Sequence, residues 1–144
     1  MTDLPMHPEP PASPPGPGIV VLGRFQPFHH GHALLIKAAE EWRRLNASEL
    51  PLVIAIGSSN RPESIENPWS PTERIVMLNT WLETQGIDDV SMITVPDIED
   101  PPNWVAHAER YHGTAGVFFT SDVPSAELYE SAGWSVVMTS LEQR

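Results

Sequence analysis

Five short apolar runs, separated by stretches of helical periodicity, constrain this chain more than any other feature of its 144 residues. Ile19–Leu22, Leu52–Ile56, Ser91–Val95, Gly116–Phe119 and Trp134–Met138 are rich in β-branched and aromatic residues and barely alternate with polar ones. Strands that read this way are buried on both faces. Between the first two, His32–Leu45 spaces Leu34, Leu35, Ala38, Ala39, Trp42 and Leu45 at helical intervals. Pro71–Leu82 does the same with Ile75, Leu78 and Leu82, and Ser70-Pro71 supplies an N-cap and a first-turn proline. Asn103–Tyr111 and Pro124–Ala132 are shorter helices; Ser121 or Asp122 caps the last, and Gly133 ends it. Strands alternating with helices predict βαβ units, a parallel sheet and an α/β fold. Ligands of such sheets sit beyond the carboxyl ends of the strands, where the strand order reverses. Chemistry is therefore expected just after Leu22, Gly57, Val95 and Thr120.

Proline divides the chain. Seven of its sixteen prolines lie in residues 1–18, a segment without apolar periodicity that reads as a disordered tail. Residues 19–144 read as a single folded domain, large enough to bury a core. There is no Cys, which excludes disulfides, thiolate metal sites and Cys nucleophiles. The longest apolar run, Leu52–Ile56, is far short of a bilayer span, and the N-terminus lacks the features of a secretory signal. A cytoplasmic location is expected. A net charge of −11 argues against nucleic-acid and anionic-membrane partners. It does not exclude a small anionic ligand, which responds to the local field.

The segment at the end of the first strand, Gly23-Arg24-Phe25-Gln26-Pro27-Phe28-His29-His30-Gly31-His32, carries the chemistry. A turn feeding a helix N-terminus points free amides and a positive dipole end at an anion. His29 and His32 add imidazole donors. Gly31 between them permits close approach, and Arg24 adds a guanidinium fork suited to phosphate. A dedicated His–metal site is disfavoured, because no third ligand is nearby and Arg24 repels a cation.

This segment resembles the HxGH motif of the nucleotidylyltransferase superfamily, with His29 and His32 as its histidines. The wider GRFQPFHHGH is similar to the archaeal-type nicotinamide mononucleotide (NMN) adenylyltransferases. The likeness continues through Gly57-Ser58-Ser59, Glu66–Arg74 (ENPWSPTER), Val95–Glu99 with Trp104-Val105-x-His107, and Leu128–Trp134. The resemblance implies a Rossmann-like, doubly wound five-stranded parallel sheet of order 3-2-1-4-5. It also implies adenylyl transfer from ATP to NMN, giving NAD and pyrophosphate, with Mg²⁺ accompanying the ATP. It assigns catalytic work to His29, His32 and Arg24. It places Gly23, Phe25, Gln26, Gly31, Ser58, Arg74, Asp97 and Trp104 among the substrate-binding residues. Arg74 would make a second phosphate contact, Asp97 would meet the NMN moiety, and Trp104 would stack on the cationic nicotinamide ring.

Two differences from the family pattern stand out. Pro101 occupies the position, three before the Trp, where the family usually carries an Asn that contacts the carboxamide. Asn103 is the nearest substitute. Family members also continue past the fifth strand to a GTxIR-like phosphate motif, whereas this chain ends at Ser140–Arg144 without it. Apolar sheet surface left uncovered at this end would invite an oligomeric partner, which makes a homo-oligomer one candidate assembly. The alternatives are a transferase acting on another phosphomonoester, and a non-catalytic nucleotide-binding protein.

Overall fold

A computed structural model of the chain describes residues 8–15, 17–25, 30–57, 69–98, 100–114 and 116–140. The strands are β1 (Ile19–Gly23), β2 (Leu52–Ile56), β3 (Val90–Thr94), β4 (Val117–Thr120) and β5 (Ser135–Met138). The helices are α1 (His30–Asn46), α2 (Pro71–Gln85), α3 (Trp104–His112) and α4 (Val123–Ser131); a 3₁₀ turn, Pro101–Asn103, leads into α3. Each predicted element is present, with ends shifted by a few residues. The largest shift at a functional position is the start of α1, which begins at His30, so His32 lies within its first turn.

The sheet order is β3-β2-β1-β4-β5 and every pairing is parallel. Alternation along the strands builds two cores. Ile19, Val21, Leu52, Ile54 and Ile56 face α1 and α2, meeting Leu35, Ile36, Ala39, Leu78 and Leu82. Val20, Val53 and Ala55 face the opposite way, toward Val105, Ala108, Tyr111 and Tyr129 of α3 and α4. The central β2 is buried along its whole length and the outer β3 is only half-buried, as the layering requires.

The helix ends follow local chemistry. Ser70 and Glu73 form a reciprocal capping box at the start of α2, with Pro71 in the first turn. Gly86, at φ 68°, closes α2 in the left-handed conformation that a side chain would resist. Asp122 caps α4 by accepting from the Ser125 amide at 3.0 Å. From the sheet-facing side of α3, the buried Tyr111 donates its hydroxyl to the carbonyl of Pro8 at 2.8 Å, so the proline-rich segment touches the domain there. Among the described residues, no helix is long and apolar enough to cross a membrane.

The end of α1 is tied down by charge. Arg43 pairs with Glu40 at 2.7 Å and donates through Nη1 to the carbonyls of Ser48 and Leu50, both at 3.1 Å. This fixes the turn that delivers the chain into β2. The hydrogen bond from Arg43 holds the Glu40 carboxyl below its ordinary value, against the opposing effect of burial. A depressed folded-state value means that the stabilisation is complete above about pH 4.5 and is lost as pH falls below it. Glu40→Gln should lower stability by roughly 1–3 kcal/mol at neutral pH and flatten the acid limb of the stability profile. Urea titrations between pH 3 and 7 would read this, and an unchanged acid limb would contradict it.

Candidate active site

A cleft of about 460 Å³ opens at the carboxyl end of the sheet, where β1 and β4 lie side by side and the strand order reverses. One wall is built from the strand ends: Gly23 at the end of β1 and Arg24 after it, Gly57 after β2, and Asp97 beyond β3. The other comprises Trp104 at the start of α3 and Thr120, Asp122 and Ser125 at the β4–α4 junction. Sequence reasoning selected Gly23, Arg24, Asp97 and Trp104, and the fold brings all four to this one cleft. It did not select Thr120, Asp122 or Ser125. The strand-end rule pointed to the stretch just after Thr120 without singling out a side chain, and Asp122 was read only as a helix cap. The cap is a compact unit: the Thr120 hydroxyl accepts from the Asp122 amide at 3.0 Å, and the Ser125 hydroxyl donates to Asp122 at 2.6 Å.

Gly23 lines the cleft, and Phe25 packs behind it in the core. Phe25 adopts φ 54°, a conformation that bulky residues rarely take, and its side chain is almost fully buried. A Cβ on Gly23 would lie 2.9 Å from the Phe25 ring, so glycine is required for this ring to fold back over the strand end. Phe25 in turn packs on His32, with ring centroids 4.5 Å apart and the planes tilted by 54°. Phe25 thus supports His32 from the core side. Gly31 and His32 are half-buried in the first turn of α1. Gln26, His29 and Ser58 lie outside the described residues.

Arg74 reaches the cleft from below. Its side chain is fully buried, and Nη1 donates to the carbonyls of Arg24 at 2.8 Å and Gly57 at 2.7 Å. Nε adds a longer bond to the Ser70 carbonyl at 3.3 Å. Burial, and then the nearby Arg24 charge, lower the Arg74 guanidinium from its ordinary value. The group predicted to meet phosphate therefore spends its inner donor on the main chain that carries the cleft's floor.

Trp104 and Asp97 are set by α3 and the turn before it. The buried His107 faces the carbonyl of Pro96 at 2.7 Å; a carbonyl only accepts, so His107 Nε2 donates. That bond anchors the residue preceding Asp97. The Trp104 ring lies against His107, centroids 5.6 Å apart. Asn103 is exposed and donates its side-chain amide to Asp100 at 2.7 Å.

A charged cleft at the switch point of a doubly wound parallel sheet is the layout of a nucleotide-binding domain. The sequence pattern described as cytidylyltransferase-like matches residues 20–129. The chain belongs to this cytidylyltransferase-like family. A nicotinamide-nucleotide adenylyltransferase of Ignicoccus hospitalis is 37% identical over 117 residues, which are 80% of this chain and 65% of that protein. One from Archaeoglobus fulgidus is 32% identical over 85% of this chain and 70% of that protein. The chain thus spans about two thirds of the length of these relatives. A solved bifunctional NMN adenylyltransferase/ADP ribose pyrophosphatase of Francisella tularensis shares the fold, with a TM-score of 0.68 at 24% identity over 87% of this chain and 38% of that one. A second structure of the same enzyme, complexed with AMP and a Mn ion, has a TM-score of 0.66 over 37% of its length.

The Arg74 fork makes a prediction about stability. Lysine offers a single ammonium in place of the guanidinium fork and cannot reproduce these main-chain bonds together. Arg74→Lys should cost about 3 kcal/mol, on the scale of charged hydrogen bonds lost in the interior. A chemical-denaturation midpoint equal to wild type would show that the bonds contribute nothing to holding the strand ends.

Proposed function

We propose that this cleft transfers the adenylyl group of ATP to NMN, yielding NAD and pyrophosphate. A phosphate oxygen of NMN bonds to the α-phosphorus of ATP as the bridge to the β-phosphate breaks. No covalent enzyme intermediate is needed, so the protein's work is positioning and charge stabilisation. The single observation that carries the reading is that Arg24, Asp97 and Trp104, from three separate elements, converge on one cleft at the switch point.

Each residue then has a task. Arg24 clamps phosphate beside the reacting centre. His32, with His29, donates to the triphosphate where negative charge grows on the α-phosphoryl group and the departing pyrophosphate. The N-terminus of α1 adds free amides and its dipole to the same point. Trp104 offers its indole face to the cationic pyridinium ring, a cation–π contact. Asp97 meets the NMN moiety from the strand-end wall, across from Trp104. Gly23 and Gly31 allow close approach, Phe25 backs His32, and Gln26 and Ser58 complete the substrate contacts. Arg74 acts through the carbonyls of Arg24 and Gly57, fixing the floor on which phosphate rests.

Mg²⁺ arrives with the ATP phosphates and needs few protein ligands. The donor set fits that arrangement: Asp97 and Asp122 are carboxylates at the cleft, and among the described residues no group of three or more His, Asp or Glu is placed to cage a metal. When bound, the ion neutralises phosphate charge.

One observation favours a second acceptor. The family's carboxamide-contacting position is Pro101 here, and the Asn103 amide is turned to Asp100. A phosphomonoester without a carboxamide would lose nothing at that wall.

The test is NAD formation from ATP, NMN and Mg²⁺ by the purified chain. His32→Ala should lower turnover by at least about a hundredfold with circular dichroism unchanged. Trp104→Ala should raise KM for NMN about tenfold and leave KM for ATP within about twofold. An unaltered kcat in His32→Ala would overturn its role, and equal effects on both substrates would overturn stacking. ATP binding without NAD formation would redirect the assignment to the second acceptor class.

A further inference from the structure

One side chain stands behind both walls of the cleft where the acceptor is placed. β3 reaches its last rung when the Val95 amide donates to the Ile56 carbonyl at 2.8 Å. Pro96 follows, with no N–H to continue the ladder. It is buried, so its carbonyl needs a donor from elsewhere in the fold. His107 supplies one through Nε2 at 2.7 Å. Asp97, the next residue, lines the strand-end wall. The same imidazole lies against the Trp104 ring of the opposite wall, with centroids 5.6 Å apart and planes at 51°. Trp104 and His107 are three residues apart on α3, which puts them on one face of the helix.

The helix beneath this imidazole is firmly held. The His107 ring packs on the buried Tyr111, one turn further along, with centroids 5.2 Å apart. Near its end, α3 is joined to α4: the Tyr129 hydroxyl and Nε2 of His112 lie 2.8 Å apart, and both residues are buried. The Trp134 indole N–H adds a bond to Glu109 at 2.7 Å. The bond from His107 therefore places the Pro96 turn against a helix that is itself fixed. A leucine at position 107 would fill the space but leave the Pro96 carbonyl unpaired. An imidazole joins a donor to a rigid plane, so the direction of its hydrogen bond also sets the plane that backs the indole.

We propose that His107 is a positioning residue that fixes the separation of Asp97 and Trp104, and so sets the affinity of the cleft for the acceptor mononucleotide without touching it. Asp97 and Trp104 come from different elements and are each half-buried. A ligand between them gains from both only when their separation is set before it arrives; otherwise the cost of ordering the walls falls on binding. The triphosphate side of the cleft is held differently, because Arg24 is fixed through its carbonyl by Arg74. The kinetic part of this inference rests on NMN as the acceptor; the link between the two walls does not.

The kinetic test sets KM against kcat. His107→Leu should raise KM for NMN about tenfold, keep KM for ATP within about twofold, and leave kcat at saturating NMN within about threefold. A merely structural role would remove active enzyme, lowering kcat with both KM values unchanged. That pattern, or an equal rise in both KM values, would overturn the proposal. His107→Gln returns an N–H donor near the place of Nε2 and should bring KM for NMN back to within about threefold of wild type. A value equal to that of His107→Leu would overturn the hydrogen bond as the link. Two further readings need no turnover. In wild type, nitrogen NMR of the imidazole, identified by its loss in His107→Gln, should show a protonated Nε2; a bare Nε2 overturns the bond whether or not any variant folds. In His107→Leu, the Asp97 amide and the Trp104 indole resonances should both move, the latter identified by its loss in Trp104→Phe. Movement of one without the other would show that the walls are not joined through His107. If wild type forms no NAD, the acceptor assignment fails while the resonances still decide the link.

Discussion

Arg74 enters beneath the cleft from the first turn of α2 and joins two carbonyls that belong to different strand ends, those of Arg24 and Gly57. Both carbonyls sit where the sheet's own hydrogen bonding stops, so each would otherwise need water or another donor. The Gly57 amide already reaches across to the Gly23 carbonyl at 2.8 Å, extending the ladder by one bond. The guanidinium continues that work past the end of the strands. It holds the β1 and β2 termini at a set separation, and Arg24, Gly23 and the first turn of α1 take their places from it. The capping box at Ser70 and Glu73 fixes where α2 begins and hence where Arg74 stands.

The opposite wall has its own supports. His107 ties the Pro96 carbonyl to α3, and Asp122 ties the end of β4 to the start of α4. Each cleft residue on this side is thus within three residues of a buried or capped anchor. The pattern suits a site whose chemistry is positioning, because an in-line displacement tolerates little error in where phosphate and platform sit. The local charge also differs from the global one. The chain carries −11, whereas at the cleft the guanidinium of Arg24 and that of Arg74 behind it balance the carboxylates of Asp97 and Asp122, so a phosphate is favoured on the Arg24 side.

The fold was legible because burial and periodicity were unambiguous. Leu52–Ile56 is a strand at the bounds read from its run, since nothing polar interrupts it before Gly57. Helix starts were harder where two caps competed: Asp122, not Ser121, caps the start of α4, because its carboxylate reaches the Ser125 amide. In the candidate site, Arg24 was legible from its charge at a strand end, whereas Asp97 and Trp104 were named through the motif resemblance. Arg74 was named for its place in the ENPWSPTER stretch, but its main-chain partners lie 50 and 17 residues away and leave no local trace. The contact between Tyr111 and Pro8 spans 103 residues and uses a main-chain acceptor, so the composition of residues 1–18 could not signal it. The Tyr129–His112 pair was invisible for the same reason: Tyr and His on helix faces read as ordinary packing until the fold sets them 2.8 Å apart.

The central claim is that one cleft at the β1–β4 switch point seats both reactants. A crystal structure of the chain with NMN and a non-hydrolysable ATP analogue tests it most directly. The account predicts the pyridinium ring over Trp104 with centroids within about 6 Å, and phosphate within hydrogen-bonding distance of Arg24. A nucleotide bound away from the cleft, or a pyridinium ring that leaves the Trp104 face bare, would contradict it.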